Sequence, residues 1–200
     1  MKKAILFTGA VFMLLGAFSQ TGLKGGVNLS NLYVDDIDDE NVKVGYHVGI
    51  YHDAPITDFL SIQPVLLFTS KGAELYYDGF LGGSGKYRYN LNYLEVPVLV
   101  KLKLAGFNVH GGPYAAFLVG ANITDVDDDG NIQSVESLDR DDFNQLDFGF
   151  SLGTGFDFTG GTIGARYDFG LSEIENSDFA GQATGNAKNS AFMLYIGFDF

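Results

Sequence analysis

Phe192-Met193-Leu194-Tyr195-Ile196-Gly197-Phe198-Asp199-Phe200 sets five apolar side chains, Phe192, Leu194, Ile196, Phe198 and Phe200, on one face of an extended strand. Met193, Tyr195, Gly197 and Asp199 take the other face. In water such a strand offers both an open edge and an apolar face, and both invite aggregation. In a sheet closed on itself within lipid, neighbouring strands take its backbone hydrogen bonds and acyl chains cover its outer face. The stretch therefore predicts a closed, membrane-embedded sheet, with Phe200 closing against the first strand.

The same alternation recurs upstream and predicts an all-β fold, an eight-stranded antiparallel up-and-down transmembrane β-barrel. The outward series begin with Leu23, Gly25, Val27 and Leu29, then Val44, Tyr46, Val48 and Ile50. Leu60, Ile62, Pro64, Leu66 and Phe68 form the third, and Leu94, Val96, Val98, Val100 and Leu102 the fourth. The fifth runs from Val109 to Val119, the sixth from Phe148 to Phe158, and the seventh from Ile163 to Leu171. None of these positions is charged, as expected where a lipid-facing Lys or Arg costs about 2–4 kcal/mol.

The opposite face carries Lys24, Lys71, Lys101, Lys103 and Arg166 against Glu95, Asp147, Asp157, Asp168 and Asp199. Eight strands enclose a space that side chains fill, so these balanced charges predict a plug of mutually neutralising pairs. Connections near Asp53–Asp58, Leu104–Gly106 and Thr159–Gly161 are short. Those at Asn31–Lys43, Gly72–Tyr87, Gly120–Gln145 and Ser172–Ser190 are long and polar, and they hold most of the acidic excess. Pro64, Pro97 and Pro113 fall inside strands, each deleting a ladder hydrogen bond, and the expected remedy is a bulge at each.

At the front, Lys2-Lys3 precedes an uncharged run from Ala4 to Phe18, and small residues surround Ser19. A run of about 15 residues is too short to span a bilayer as a helix, so residues 1–19 read as a cleaved signal peptide and 20–200 as one domain. The chain has no cysteine, so no disulfide framework is possible. A net charge of −13 argues against nucleic acid and anionic lipid as partners. A soluble β-sandwich would have to bury Phe148, Phe150, Phe156, Phe158, Phe192, Phe198 and Phe200 opposite an ionic face, which disfavours it.

Several segments resemble the PorT-like family of small outer-membrane β-barrels. Gly22-Leu23-Lys24-Gly25-Gly26-Val27-Asn28-Leu29-Ser30 is similar to its opening strand. Leu60-Ser61-Ile62-Gln63-Pro64, with Lys71-Gly72, is similar to its third. Tyr93-Leu94-Glu95-Val96-Pro97, Gly112-Pro113-Tyr114, Asp147-Phe148-Gly149, Arg166-Tyr167 and Gly170-Leu171 resemble later ones. Val65 departs from the family, whose members often carry a glutamate there. The resemblance implies the cell outer membrane as location, membrane lipid as surroundings and the barrel-insertion machinery as a partner in biogenesis. Its founding member is linked to a secretion system; most relatives have no defined role.

One motif points to a ligand. Asp125, Asp127 and Asp129, then Gly130, Asn131 and Glu136, satisfy the spacing of a twelve-residue calcium loop, with six or more oxygens on offer. The alternative is a solvated acidic loop, since no helices flank the stretch. His47, His52 and His110 have no metal-ligand spacing, and no thiol nucleophile exists. The glycines of Gly149–Gly155 open no helix and so form no phosphate loop. The sequence thus predicts a monomeric, non-catalytic barrel with a structural or surface-interaction role. A porin-like pore, a secretion accessory and an embedded lipid enzyme are the alternatives.

Overall fold

Every alternating segment becomes a strand in the computed structural model, which describes residues 20–33, 41–79, 83–127, 131–138, 143–174 and 188–200. The expected signal peptide, 1–19, and the acidic residues Asp35 to Glu40 lie outside them. The strands are β1 (Gln20–Tyr33), β2 (Asn41–Pro55), β3 (Leu60–Lys71), β4 (Ala73–Gly79) and β5 (Gly83–Leu104). Then follow β6 (Phe107–Asp127), β7 (Ile132–Ser137), β8 (Leu146–Phe158), β9 (Gly161–Glu173) and β10 (Lys188–Asp199).

All pair antiparallel in one sheet, and eight of them close into a ring, β1–β2–β3–β5–β6–β8–β9–β10 and back to β1. The closing register sets Leu23 opposite Phe198 and Leu29 opposite Phe192, and the Phe200 amide donates to the Thr21 carbonyl at 2.8 Å. The eight strands expected from sequence are those of the ring, while the sheet among the described residues holds ten. The two extra strands, β4 and β7, prolong the wall beyond the ring. They occupy the stretches 72–87 and 120–145 expected as loops.

Gly72 makes the break between β3 and β4. Its φ of 135° is one that a side chain rarely adopts and interrupts the strand for one residue. β4 then continues β3 between the same two neighbours, in unchanged register on β5 (Lys71↔Leu91, Glu74↔Arg88) and shifted by one residue on β2. At the other end the links are tight. Leu104 pairs with Phe107 across Ala105 and Gly106, whose φ values of 49° and 96° are both positive, as a two-residue turn matching strand twist requires.

The prolines correct a second expectation. Register shifts fall at Asn92/Tyr93, Asp125/Val126 and Lys188/Ser190, none of them at a proline. Instead the ladder skips rungs and resumes unchanged. It does so on β2–β3 between Tyr51↔Val65 and Ala54↔Ile62, and on β3–β5 between Pro64↔Val98 and Leu67↔Glu95. The third gap is on β5–β6, between Pro97↔Tyr114 and Val100↔Gly111. Proline lacks a donor but fits extended backbone, so each costs hydrogen bonds without displacing its strand.

The two faces separate as the alternation requires. Leu23, Val48, Val98, Val109, Leu152, Ile163 and Leu194 are exposed on the outside. Lys24, Asn28, His47, Gln63, Glu95, His110, Ser151, Arg166 and Asp168 are buried inside.

Candidate functional site

The interior of the ring is a chain of paired charges. Lys71 Nζ on β3 lies 2.6 Å from Glu95 Oε2 on β5 and 3.6 Å from Asp168 Oδ2 on β9. Arg166 on β9 reaches Glu95 Oε1 at 2.7 Å and Asp168 Oδ1 at 3.0 Å. Ser151 donates to Asp168, and Lys71 also sits over the Tyr114 ring. Burying two cations and two anions is tolerable because each neutralises another and hydrogen bonds take up the remainder.

Toward the short-turn rim, Lys24 donates to Gln63 at 3.2 Å and lies over the Tyr195 ring at 4.2 Å. Tyr51, Val65, Leu67 and Leu99 fill the space beside it with apolar contacts. Toward the other rim, Asn189 donates to Asp147 and to Tyr93, and Leu91, Tyr93, Tyr114, Ala116 and Leu118 pack together. His47 hydrogen-bonds Asn28 and His110 hydrogen-bonds Asn108, so these two histidines serve packing. Ser151 Oγ is taken up by the Asp168 carboxylate, which Arg166 also holds. All ten lumenal charges expected from sequence point inward. Asp53, expected in a turn, joins them on β2 and binds Lys103 at 2.8 Å. The signal was legible, because His47, Gly49, Tyr51 and Asp53 share one parity along β2.

Beyond the ring, β4, the far halves of β5 and β6, and β7 form a projecting four-stranded sheet. Glu74 on β4 accepts from Lys86 at 2.8 Å and from Arg88 at 2.7 Å on β5. Burial alone would raise the Glu74 carboxyl, but these two cationic donors win and hold it below the usual carboxylate value. β7 is exposed along its whole length and pairs only with β6 among the described strands.

The candidate calcium residues are spread along this sheet. Asp125 and Asp127 lie on β6, Asn131 follows the turn and Glu136 stands on β7 opposite Ile123; Asp129 lies outside the described residues. Asp127 accepts from the Asn131 amide at 2.7 Å and from Gln133 at 2.7 Å, which fastens the hairpin. Among the described residues no three His, Asp or Glu side chains cluster as a metal site would need.

Residues 17–176 match the family model described as outer membrane protein beta-barrel domain. Ail, the attachment invasion locus protein of Yersinia pestis, solved with the heparin analogue sucrose octasulfate, superposes with a TM-score of 0.52 at 12% identity. That match covers 92% of this chain and 100% of Ail. Neisserial surface protein A gives 0.52 at 9% identity over the same shares. At such identities the likeness is one of fold. No curated protein matches the chain.

Proposed function

Because the chain belongs to the outer membrane protein beta-barrel domain family, we propose that it spans the outer membrane as a plugged barrel and works outside it. On this reading it displays the projecting sheet for surface interaction, without catalysis. The observation that carries this reading is the pairing of a lumen closed by its own ions with a sheet that continues past the ring.

The membrane depth follows from the outer face. Phe59, Phe107, Phe158 and Phe200 are exposed near the short-turn rim, while Phe117, Phe148 and Phe169 are exposed higher up. About ten residues separate Phe107 from Phe117 along β6, and a tilted strand needs about 9–11 to cross. Aromatic girdles flank the apolar band of such barrels. Glu74, Arg88 and all of β7 then stand beyond the membrane.

The sulfated ligand of the Ail structure does not transfer by chemistry. A net charge of −13, with Asp125, Asp127 and Glu136 on the projecting sheet, repels polyanions, so the partner expected here is basic or uncharged. Calcium at Asp125, Asp127, Asp129, Asn131 and Glu136 is a separate proposal, in which Glu136→Gln lowers calcium uptake; unchanged uptake discards it. Removal of residues 1–19, a monomeric state and passage through the insertion machinery belong to the same reading, as does the narrower PorT-like assignment.

The test pairs two measurements on outer-membrane fractions. A band that shifts on boiling, together with no stepwise conductance in planar bilayers, supports the plugged barrel. Steady conductance would make the protein a pore. Co-purification with envelope secretion proteins that survives loss of residues 123–137 would favour the accessory reading.

A further inference from the structure

A cavity of about 180 Å³ opens at the short-turn rim of the ring, the end opposite the projecting sheet. Its walls hold three carboxylates, Asp53, Asp157 and Asp199, two lysines, Lys101 and Lys103, and the Tyr51 phenol. The space has room for several waters and is enough for a small organic ion.

The bonding inside this cavity is lopsided. Lys103 is held by Asp53 Oδ2 at 2.8 Å, and Lys101 by Asp157 Oδ1 at 2.9 Å with Asp53 Oδ2 at 3.9 Å. Asn108 also donates to Asp157 Oδ1, and the Tyr51 hydroxyl donates to Asp199 Oδ1. Each aspartate therefore engages the protein through one oxygen. The second oxygen of Asp53 is buried with no hydrogen-bond partner, on a side chain only 4% exposed. An acceptor left so inside a protein has lost its hydration with nothing in return, all the more when charged, so a donor is called for.

We propose that this mouth is a binding site for a small primary amine, whose ammonium sits among the carboxylates of Asp53, Asp157 and Asp199 and takes up the unpaired Asp53 oxygen once that carboxylate turns toward it. An ammonium carries three N–H donors and no acceptor, which suits a wall with carboxylates in excess. The lining charges sum to one negative, so a monocation neutralises the cavity. An anion would enter beside three carboxylates and two lysines that are already paired. The guest comes from the side of the short turns, away from the acidic sheet, so this site is independent of the surface-interaction reading.

The probe is n-butylammonium, with butyrate as its counterpart of similar size and opposite charge. Backbone amide signals of Tyr51, Asp53 and Gly161 are followed by NMR in the isotope-labelled, folded protein in micelles. Expected are saturable shifts with the amine, none with butyrate, and at least tenfold weaker amine binding in Asp53→Asn. Should that variant fail to show the heat-shifted band of a folded barrel, Asp199→Asn takes its place, since Asp199 holds no lysine. Equal response to both ions, amine affinity unchanged in the folded variant, or no saturable shift at these amides overturns the proposal.

Discussion

Lys71 Nζ lies 2.6 Å from Glu95 Oε2, and neither side chain has any access to solvent. The pair joins β3 to β5 across the inside of the wall, and Arg166 and Asp168 tie it to β9 on the far side. The lumen is thereby cross-braced. Its charges neutralise one another.

Removing one member strands the others. Glu95→Gln leaves Lys71 and Arg166 sharing Asp168 alone, and breaking a buried pair costs about 3–5 kcal/mol. Denaturant unfolding of the micellar barrel, followed by gel mobility, should show that loss. Replacing Lys71 with Met and Glu95 with Leu together should cost distinctly less than the two single losses summed, because the charges depart in company.

Leu152 on β8 is 58% exposed, with Phe148 and Phe156 above and below it on the same face. Leu152→Lys places a charge near the middle of the apolar band and should destabilise the barrel in bilayers by about 2–4 kcal/mol. Ser151→Ala, one residue away but inside, should leave lipid insertion untouched. Equal effects of the two changes on insertion would refute the assignment of faces.

The projecting sheet should respond to acid. Glu74 titrates below its ordinary 4.5 in the folded state, so its contribution is fully present above that value and fades as pH falls through the lowered one. Protection factors of the amides in β4 and the far half of β5, taken against the intrinsic rate at each pH, should therefore fall below about pH 4.5, while those of the ring hold. Glu74→Gln should remove this pH dependence.

Gly72 should tolerate no side chain. Its φ of 135° disfavours any other residue, and a Cβ would run into the Tyr89 carbonyl oxygen. Gly72→Ala is expected to cost about 1–3 kcal/mol. The loss should appear as faster exchange in β4, with the heat-shifted band of the ring retained.

The ring was readable because each of its residues meets one of only two surroundings, lipid or lumen. That choice forces a period of two on Leu194, Tyr195 and Ile196 as it does on Val98, Leu99 and Val100. Past the membrane no lipid enforces it. Tyr87, Arg88, Tyr89 and Asn90 are strand in β5, yet their polarity is that of a loop, and β7 shows six exposed residues with no alternation at all. Hence neither β4 nor β7 has a strand signature in the sequence, and the projecting sheet has none either. The rim cavity was equally hidden, since Asp53, Asp157 and Asp199 come from three distant strands that only the closed register brings together.

That register also orders assembly. Of the eight junctions in the ring, seven join strands that lie near one another along the chain, with β4 and β7 as detours. The eighth, β1 with β10, sets Leu23 against Phe198 and so spans almost the whole described length. Hairpins zip quickly because their loops are short, whereas bringing distant chain segments together carries the full closure entropy. Folding of this barrel should therefore divide into a fast accumulation of hairpins and one slow encounter. Until that encounter the edges of β1 and β10 stand open to strangers. Gly26 on β1 sits at this junction, where a Cβ would collide with the Leu194 carbonyl oxygen. The smallest residue thus guards the contact that is made last.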